Sequence, residues 1–342
     1  MGGAGDHATG TGATILAPSG PVLGHDEAIF FRDADPFGFI LFARNIESRD
    51  QTRTLTAALR DAVGRDAPIL IDQEGGRVSR FPVGLGHEFP PALDMAETSR
   101  DPIRALWVRA RLIAHDLRDL GIDVNCAPLA DIARPDTHAV LRNRCYGTTA
   151  DEVTVRARAV ADGHTASGVS SVLKHMPGHG RAFLDSHLAL PVVDTDLATL
   201  EATDFAPFRA LADLSMGMTA HLVFKAIDPE TPSTLSPAVL AFLRARIGFA
   251  NLLMTDDISM QALPGTLAYR SEGAIAAGCD LVLHCTGVLA EMEAVVAAAG
   301  LQSDDARRRA AAAIAGRPTA AAIDIDGLRA ELLAMEESCG HA

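Results

Sequence analysis

Short apolar runs rich in Ile, Leu and Val alternate with longer helical patterns along almost the whole chain, and this order dictates a parallel sheet joined by crossover helices. Eight runs read as strands: Ala13–Ala17, Gly38–Phe42, Pro68–Ile71, Ile122–Ala127, Val169–Leu173, Ser215–Ala220, Asn251–Met254 and Asp280–Leu283. Helix signals fall between them. Ser48 and Gln51 make a capping pattern for a helix that Gly64 stops, and Asp101-Pro102 opens one closed by Gly121. Thr149 and Glu152 frame a third that ends near Gly168, and Ser236-Pro237 starts a fourth that stops at Gly248. A doubly wound sheet would need a phosphate-binding glycine fingerprint at its first turn, and none is present. The expectation is therefore an α/β protein, a single (β/α)8 TIM-type barrel over residues 13–335, with a flexible N-terminus over 1–12 and a tail over 336–342. The alanine-rich stretches Ala310–Gly316 and Ala320–Ala322 read as surface helix.

Composition narrows the setting. The 342 residues are 48% hydrophobic, enough for a large core, and 30 basic against 44 acidic side chains leave a net charge of −14. That charge argues against nucleic acid or an anionic membrane as partner. Cys126, Cys145, Cys279, Cys285 and Cys339 are an odd, scattered set without a CxxC pair, so neither a disulfide framework nor a zinc cluster is expected. Without a signal-like N-terminus or a long apolar run, the expected location is the cytoplasm.

In such a barrel, chemistry belongs at the carboxyl ends of the strands. Polar groups gather there repeatedly. The third run ends in Asp72-Gln73-Glu74-Gly75-Gly76-Arg77-Val78-Ser79-Arg80, the fifth in Lys174-His175, the sixth in His221, the seventh in Asp256-Asp257 and the eighth in His284. The richest stretch, Leu173 to His187, packs three histidines, a lysine and an aspartate among glycines and a proline, and reads as a loop leaving the fifth strand. Within it Asp185 and His187 are spaced so that a carboxylate can orient an imidazole for proton transfer. Asp256 and Asp257 are alternative anions, but successive residues at a strand end face opposite sides, so only one can meet a ligand directly.

The segments Ile71–Phe81, Ala127–Ile132, Asn143–Gly147, Leu173–Gly180, Asp185–His187 and Thr255–Met260 occur in the order and approximate spacing of a known family. The chain resembles the glycoside hydrolase family 3 β-N-acetylhexosaminidases of bacteria, of the single-barrel type that works in peptidoglycan recycling. The resemblance implies a retaining exo-β-N-acetylglucosaminidase that removes terminal N-acetylglucosamine from peptidoglycan-derived muropeptides through a glycosyl-enzyme intermediate. It makes Asp256 the nucleophile, His187 the general acid/base and Asp185 its orienting partner. Asp72, Arg80, Arg144, Lys174 and His175 then hold the terminal sugar, with no cofactor and no metal. Met176 stands where the family usually has Phe, and Leu141-Arg142 where it often has an Ile-Gly pair, which can alter the aglycone side of the pocket.

The transition state of glycoside cleavage needs an anion beneath the ring and a proton donor beside the leaving oxygen, and most such enzymes use two carboxylates. A histidine donor on a glycine-flanked loop implies motion, with His187 distant from Asp256 until substrate binds. Glu74 reads as structural, His179 as a loop hydrogen-bonding residue, and His221 and His284 as core or supporting groups. With 5% aromatic residues and Trp107 inside a helix, a pocket for one terminal sugar is expected rather than a polysaccharide cleft. Four other readings stay open: a metal-dependent barrel hydrolase, whose usual His-x-His at the first strand is replaced by Leu16–Gly20; a non-catalytic sugar-binding barrel; and, within the family, a β-glucosidase or a glycosyl phosphorylase.

Overall fold

The computed structural model describes residues 9–182 and 190–336. Among them, eight parallel strands close into a barrel: β1 (Gly12–Leu16), β2 (Pro36–Leu41), β3 (Ile69–Ile71), β4 (Val124–Asn125), β5 (Ser170–Met176), β7 (Met216–Thr219), β9 (Leu252–Asp257) and β10 (Leu281–His284). Each apolar run lies on one of these strands. The remaining strands, β6 (Val192–Val193) and β8 (Val223–Phe224), pair outside the barrel as a small parallel sheet that the sequence did not announce.

The strands are buried on both faces, as parallel strands under crossover helices must be. Ile15, Ile40, Leu70, Val124, Val172, Met216, Met254 and Leu283 belong to one buried cluster, which also takes in Ala310 and Ala313 of the helix Asp304–Ala315. That helix therefore contributes to the core rather than lying wholly on the surface. Ala320–Ala322 is not helical. Pro318 and the lost register after Gly316 leave it irregular, and its carbonyls accept from Arg111 while Ala321 donates its amide to Ala166.

The four helix starts behave as their residues require. Ser48, Asp101, Thr149 and Ser236 each accept an amide of the first turn through the side chain, and Thr149 with Glu152 completes a capping box. Two strand ends differ from the sequence reading. β5 continues through Met176, so Lys174 and His175 are strand residues rather than loop residues, because the Lys174 amide and carbonyl still pair with the neighbouring loop at Pro128 and Ala130. β9 likewise continues to Asp257.

Candidate active site

The carboxyl end of the barrel holds a pocket of about 230 Å³ lined by Asp72, Arg80, Arg144, Lys174, His175 and Asp256 together with Arg77, Val78, His138, Val140, Leu141, His179 and Met260. Thus all the described candidates lie in one cavity. It is smaller than the roughly 300–1,000 Å³ of a drug-sized ligand pocket, in keeping with one sugar ring. Asp185 and His187 lie outside the described residues.

The loop after β3 builds one wall. Gly75 and Gly76 have φ of 84° and 58°, and the amides of Glu74 and Gly75 both reach the carbonyl of Val78, so the chain turns back sharply. A side chain at Gly75 would stand 2.5 Å from the buried Arg109, whose guanidinium instead donates to the Glu74 carbonyl at 2.8 Å. The turn delivers two carboxylates into a row of charges. Arg80 reaches Asp72 at 3.2 Å, Lys174 bridges Asp72 at 2.9 Å and Glu74 at 2.7 Å, and Arg144 grips Glu74 with two hydrogen bonds of 2.7 and 2.9 Å.

Burial pushes the Asp72 carboxyl up, but the Lys174 ammonium and Arg80 guanidinium outweigh it and hold it below its ordinary value. Glu74 is likewise held low, with Arg144 and Lys174 overcoming its burial. Burial alone would lower Lys174; Asp72 and Glu74 raise it instead. The row therefore stays fully ionised, and each cation is aimed by an anion. Arg80 Nε is buried with no hydrogen-bond partner among the described residues, a donor left for something that enters the pocket.

β9 presents the two aspartates to opposite sides. Asp256 lines the pocket, and its Oδ1 accepts the Asp257 amide at 2.8 Å. Burial raises its carboxyl, and the imidazoles of His175 and His221, with the Asp257 amide, bring it below the ordinary value. It is an anion poised in a partly covered cavity. Asp257 turns away: it accepts the Ser259 hydroxyl at 2.6 Å and the Cys285 amide at 3.3 Å. His221 is buried behind it and donates from Nε2 to the Asp257 carbonyl at 2.9 Å, while buried His284 faces Glu291 at 3.4 Å.

One functional residue escaped the sequence reading. Asp131, fully buried, accepts from His175 Nδ1 at 2.7 Å and from the His179 amide at 2.7 Å. The first bond sets the His175 tautomer and leaves Nε2 for the pocket. The sequence signal was the segment Ala127–Ile132, which carries Asp131 six residues beyond the two-residue strand β4. His179 also packs edge-on against His175 at 5.6 Å, and its ring, with burial as the main cause, is lowered to about 4. Among the described residues no group of three or more His, Cys, Asp or Glu side chains is arranged to hold a metal ion.

A closed eight-stranded barrel with an anionic strand-end aspartate beside a row of paired charges has the groups that glycoside cleavage needs, and comparison with known proteins gives the class: the chain is a glycoside hydrolase. Residues 30–311 match the model of the glycosyl hydrolase family 3 N-terminal domain, and the chain belongs to this family. It is 36% identical over 326 residues to a β-hexosaminidase of Xylella fastidiosa, spanning 93% of this chain and 94% of the relative. It is 35% identical to a β-hexosaminidase of Methylococcus capsulatus over 91% of this chain and 93% of that one. Its structure resembles NagZ from Neisseria gonorrhoeae in complex with N-trifluoroacetyl-D-glucosamine, with a TM-score of 0.82 at 27% identity, covering 97% of this chain and 98% of the other.

Proposed function

We propose that this protein is a retaining exo-β-N-acetylglucosaminidase that releases terminal N-acetylglucosamine from peptidoglycan-derived muropeptides in the cytoplasm, working as one barrel over residues 13–335. The observation that carries the reading is the Asp256 carboxylate, held ionised at a strand end within a pocket whose cations are already aimed by Asp72 and Glu74. The names of the β-hexosaminidase relatives, and the glucosamine derivative bound by the gonococcal protein, support the sugar.

In this reading Asp256 attacks the anomeric carbon while His187 gives its proton to the departing oxygen, leaving a covalent glycosyl-enzyme. His187, then neutral, takes a proton from water as water attacks the same carbon and frees Asp256. Two displacements return the original anomeric configuration. Asp185 orients His187 and favours its imidazolium form. Asp72 accepts sugar hydroxyls through lone pairs not taken by Lys174 and Arg80. Arg80 Nε, Lys174 and Arg144 donate, while His175 Nε2, in the neutral ring whose proton is on Nδ1 toward Asp131, accepts from a hydroxyl. A buried donor left unmatched costs about 1–3 kcal/mol, so a hydroxyl reaching Arg80 Nε is rewarded by that amount.

The test is hydrolysis of 4-nitrophenyl β-N-acetylglucosaminide beside 4-nitrophenyl β-glucoside, with and without phosphate, and after chelation. The proposal expects the N-acetylglucosaminide to be preferred, the released sugar to be free N-acetylglucosamine even in phosphate, and chelator to leave the rate unchanged. Preference for the glucoside, a sugar phosphate as product, or a rate lost to chelator and restored by zinc would each contradict it.

A further inference from the structure

Arg77 lines the same pocket but is built differently from the other cations there. Arg80, Lys174 and Arg144 are tied to Asp72 and Glu74, whereas Arg77 is exposed and has no hydrogen bond or ion pair among the described residues. Its backbone is nevertheless fixed. It stands at the tip of the turn closed on the Val78 carbonyl, the Gly76 amide is held by the Phe89 carbonyl, and a side chain at Gly76 would meet Pro91 Cα at 2.9 Å. The cation is thus presented by the main chain and has no counter-ion among the described residues.

The segment 138–141 contributes to the same pocket. His138 Nδ1 accepts the Val140 amide at 3.3 Å, so in the neutral ring the proton is on Nε2, a second donor. Val140, Leu141 and Met260 supply apolar surface. This part of the pocket offers an unpaired charge, a donor and apolar side chains, while the carboxylates Asp72 and Asp256 in the same lining face the sugar-binding cations and imidazoles. A neutral aglycone would use little of it.

Resting on the reading of this site as an N-acetylglucosaminidase, we propose that Arg77, supported by His138, selects an aglycone that carries a carboxylate. In a protein of net charge −14, a cation at the pocket supplies local positive potential that favours the approach of an acidic substrate. The carboxylate can belong to an acid substituent on the reducing-side sugar or to an attached peptide, and both place the same group beside Arg77.

The experiment compares kcat/KM for N-acetylglucosaminyl-β-1,4-N-acetylmuramic acid, the same disaccharide with its carboxyl as a primary amide, and that amide extended by a short peptide ending in a free carboxylate. The readout is the preference for each acid over the amide within one enzyme, so any general change in activity cancels. In the native enzyme at least one acid is expected to be preferred by roughly three- to tenfold, as fits a solvent-exposed charge contact. That preference should shrink in 0.5 M salt, fall to about one in Arg77→Ala and persist in part in Arg77→Lys. Which acid shows it identifies the source of the carboxylate. No preference in the native enzyme, or an equal preference in Arg77→Ala, overturns the proposal while leaving the hydrolase reading intact. Failure to cleave all three substrates would count against that reading itself and therefore against both.

Discussion

Asp256 and Asp257 differ by one position and by everything around them. Asp256 opens to the pocket; Asp257 is consumed by Ser259 and the Cys285 amide. Asp256→Ala is therefore expected to reduce turnover by about 10⁴-fold or more with an unchanged circular dichroism spectrum. Asp257→Ala should retain more activity but unfold at a lower temperature, since it leaves three donors, the Ser259 amide and hydroxyl and the Cys285 amide, unmatched. The reverse order of activities would exchange their roles. His187, as proton donor, has its own signature. His187→Ala should lose about 10²–10⁴-fold on alkyl glycosides, which need protonation, and far less on dinitrophenyl glycosides, for which added azide should restore turnover. Equal losses on both, without an azide effect, would remove the acid/base role from His187. The alternation of Asp256 and Asp257 could be read from the sequence, because a strand end imposes it. Asp131 could not. It follows a two-residue strand and Pro128, so no apolar run points to it, and only the folded chain brings it to His175.

The helix Ala150–Ala166 meets the barrel through a buried polar contact that titrates. Asn125 is fixed by Gln73, accepting its amide and donating to its carbonyl, so the remaining Asn125 N–H points to His164 Nε2 at 3.2 Å. His164 must accept there, and its proton lies on Nδ1, toward the Ser171 hydroxyl at 3.0 Å. A second proton would face the Asn125 amide group, and burial lowers the ring to about 3. The depressed value means that the unfolded chain binds the proton first. Stability is full above the ordinary histidine value of about 6.5 and falls as pH drops toward 3, by about 2 kcal/mol between pH 7 and pH 5 from this group. The lowered carboxyls of Asp72, Asp131 and Asp256 add a further loss below their ordinary value of 3.8. Urea midpoints at pH 7 and 5 should differ in the native chain and differ less in His164→Gln; equal differences in the two would refute the assignment. At this scale each barrel strand was legible through its apolar run, and four helix starts through their caps. The extension of β5 was not, since Lys174 to Gly178 carries the residues of a loop. Nor was the pairing of Val192–Val193 with Val223–Phe224, strands too short to show a period.

The whole molecule separates its tasks by barrel end and by depth. Apolar side chains fill the interior, charged rows with internal neutralisation form one wall of the strand-end pocket, and Arg77, without a partner among the described residues, stands beside it at the surface. Fold and family were legible because a barrel repeats its signal eight times and because motifs such as Ile71–Phe81 keep carboxylates and glycines in one register. The charge row was less so: that Glu74 aims both Arg144 and Lys174 depends on strands β3 and β5 being brought together around the closed sheet. The central claim is that Asp256 forms a covalent bond to the sugar during turnover. A fluorinated N-acetylglucosaminyl donor that slows the second displacement should inactivate the enzyme, and peptide mapping by mass spectrometry should find the sugar on Asp256. A label on Asp257 or elsewhere, or turnover of an ordinary substrate with inversion and no trapped adduct, would contradict the account.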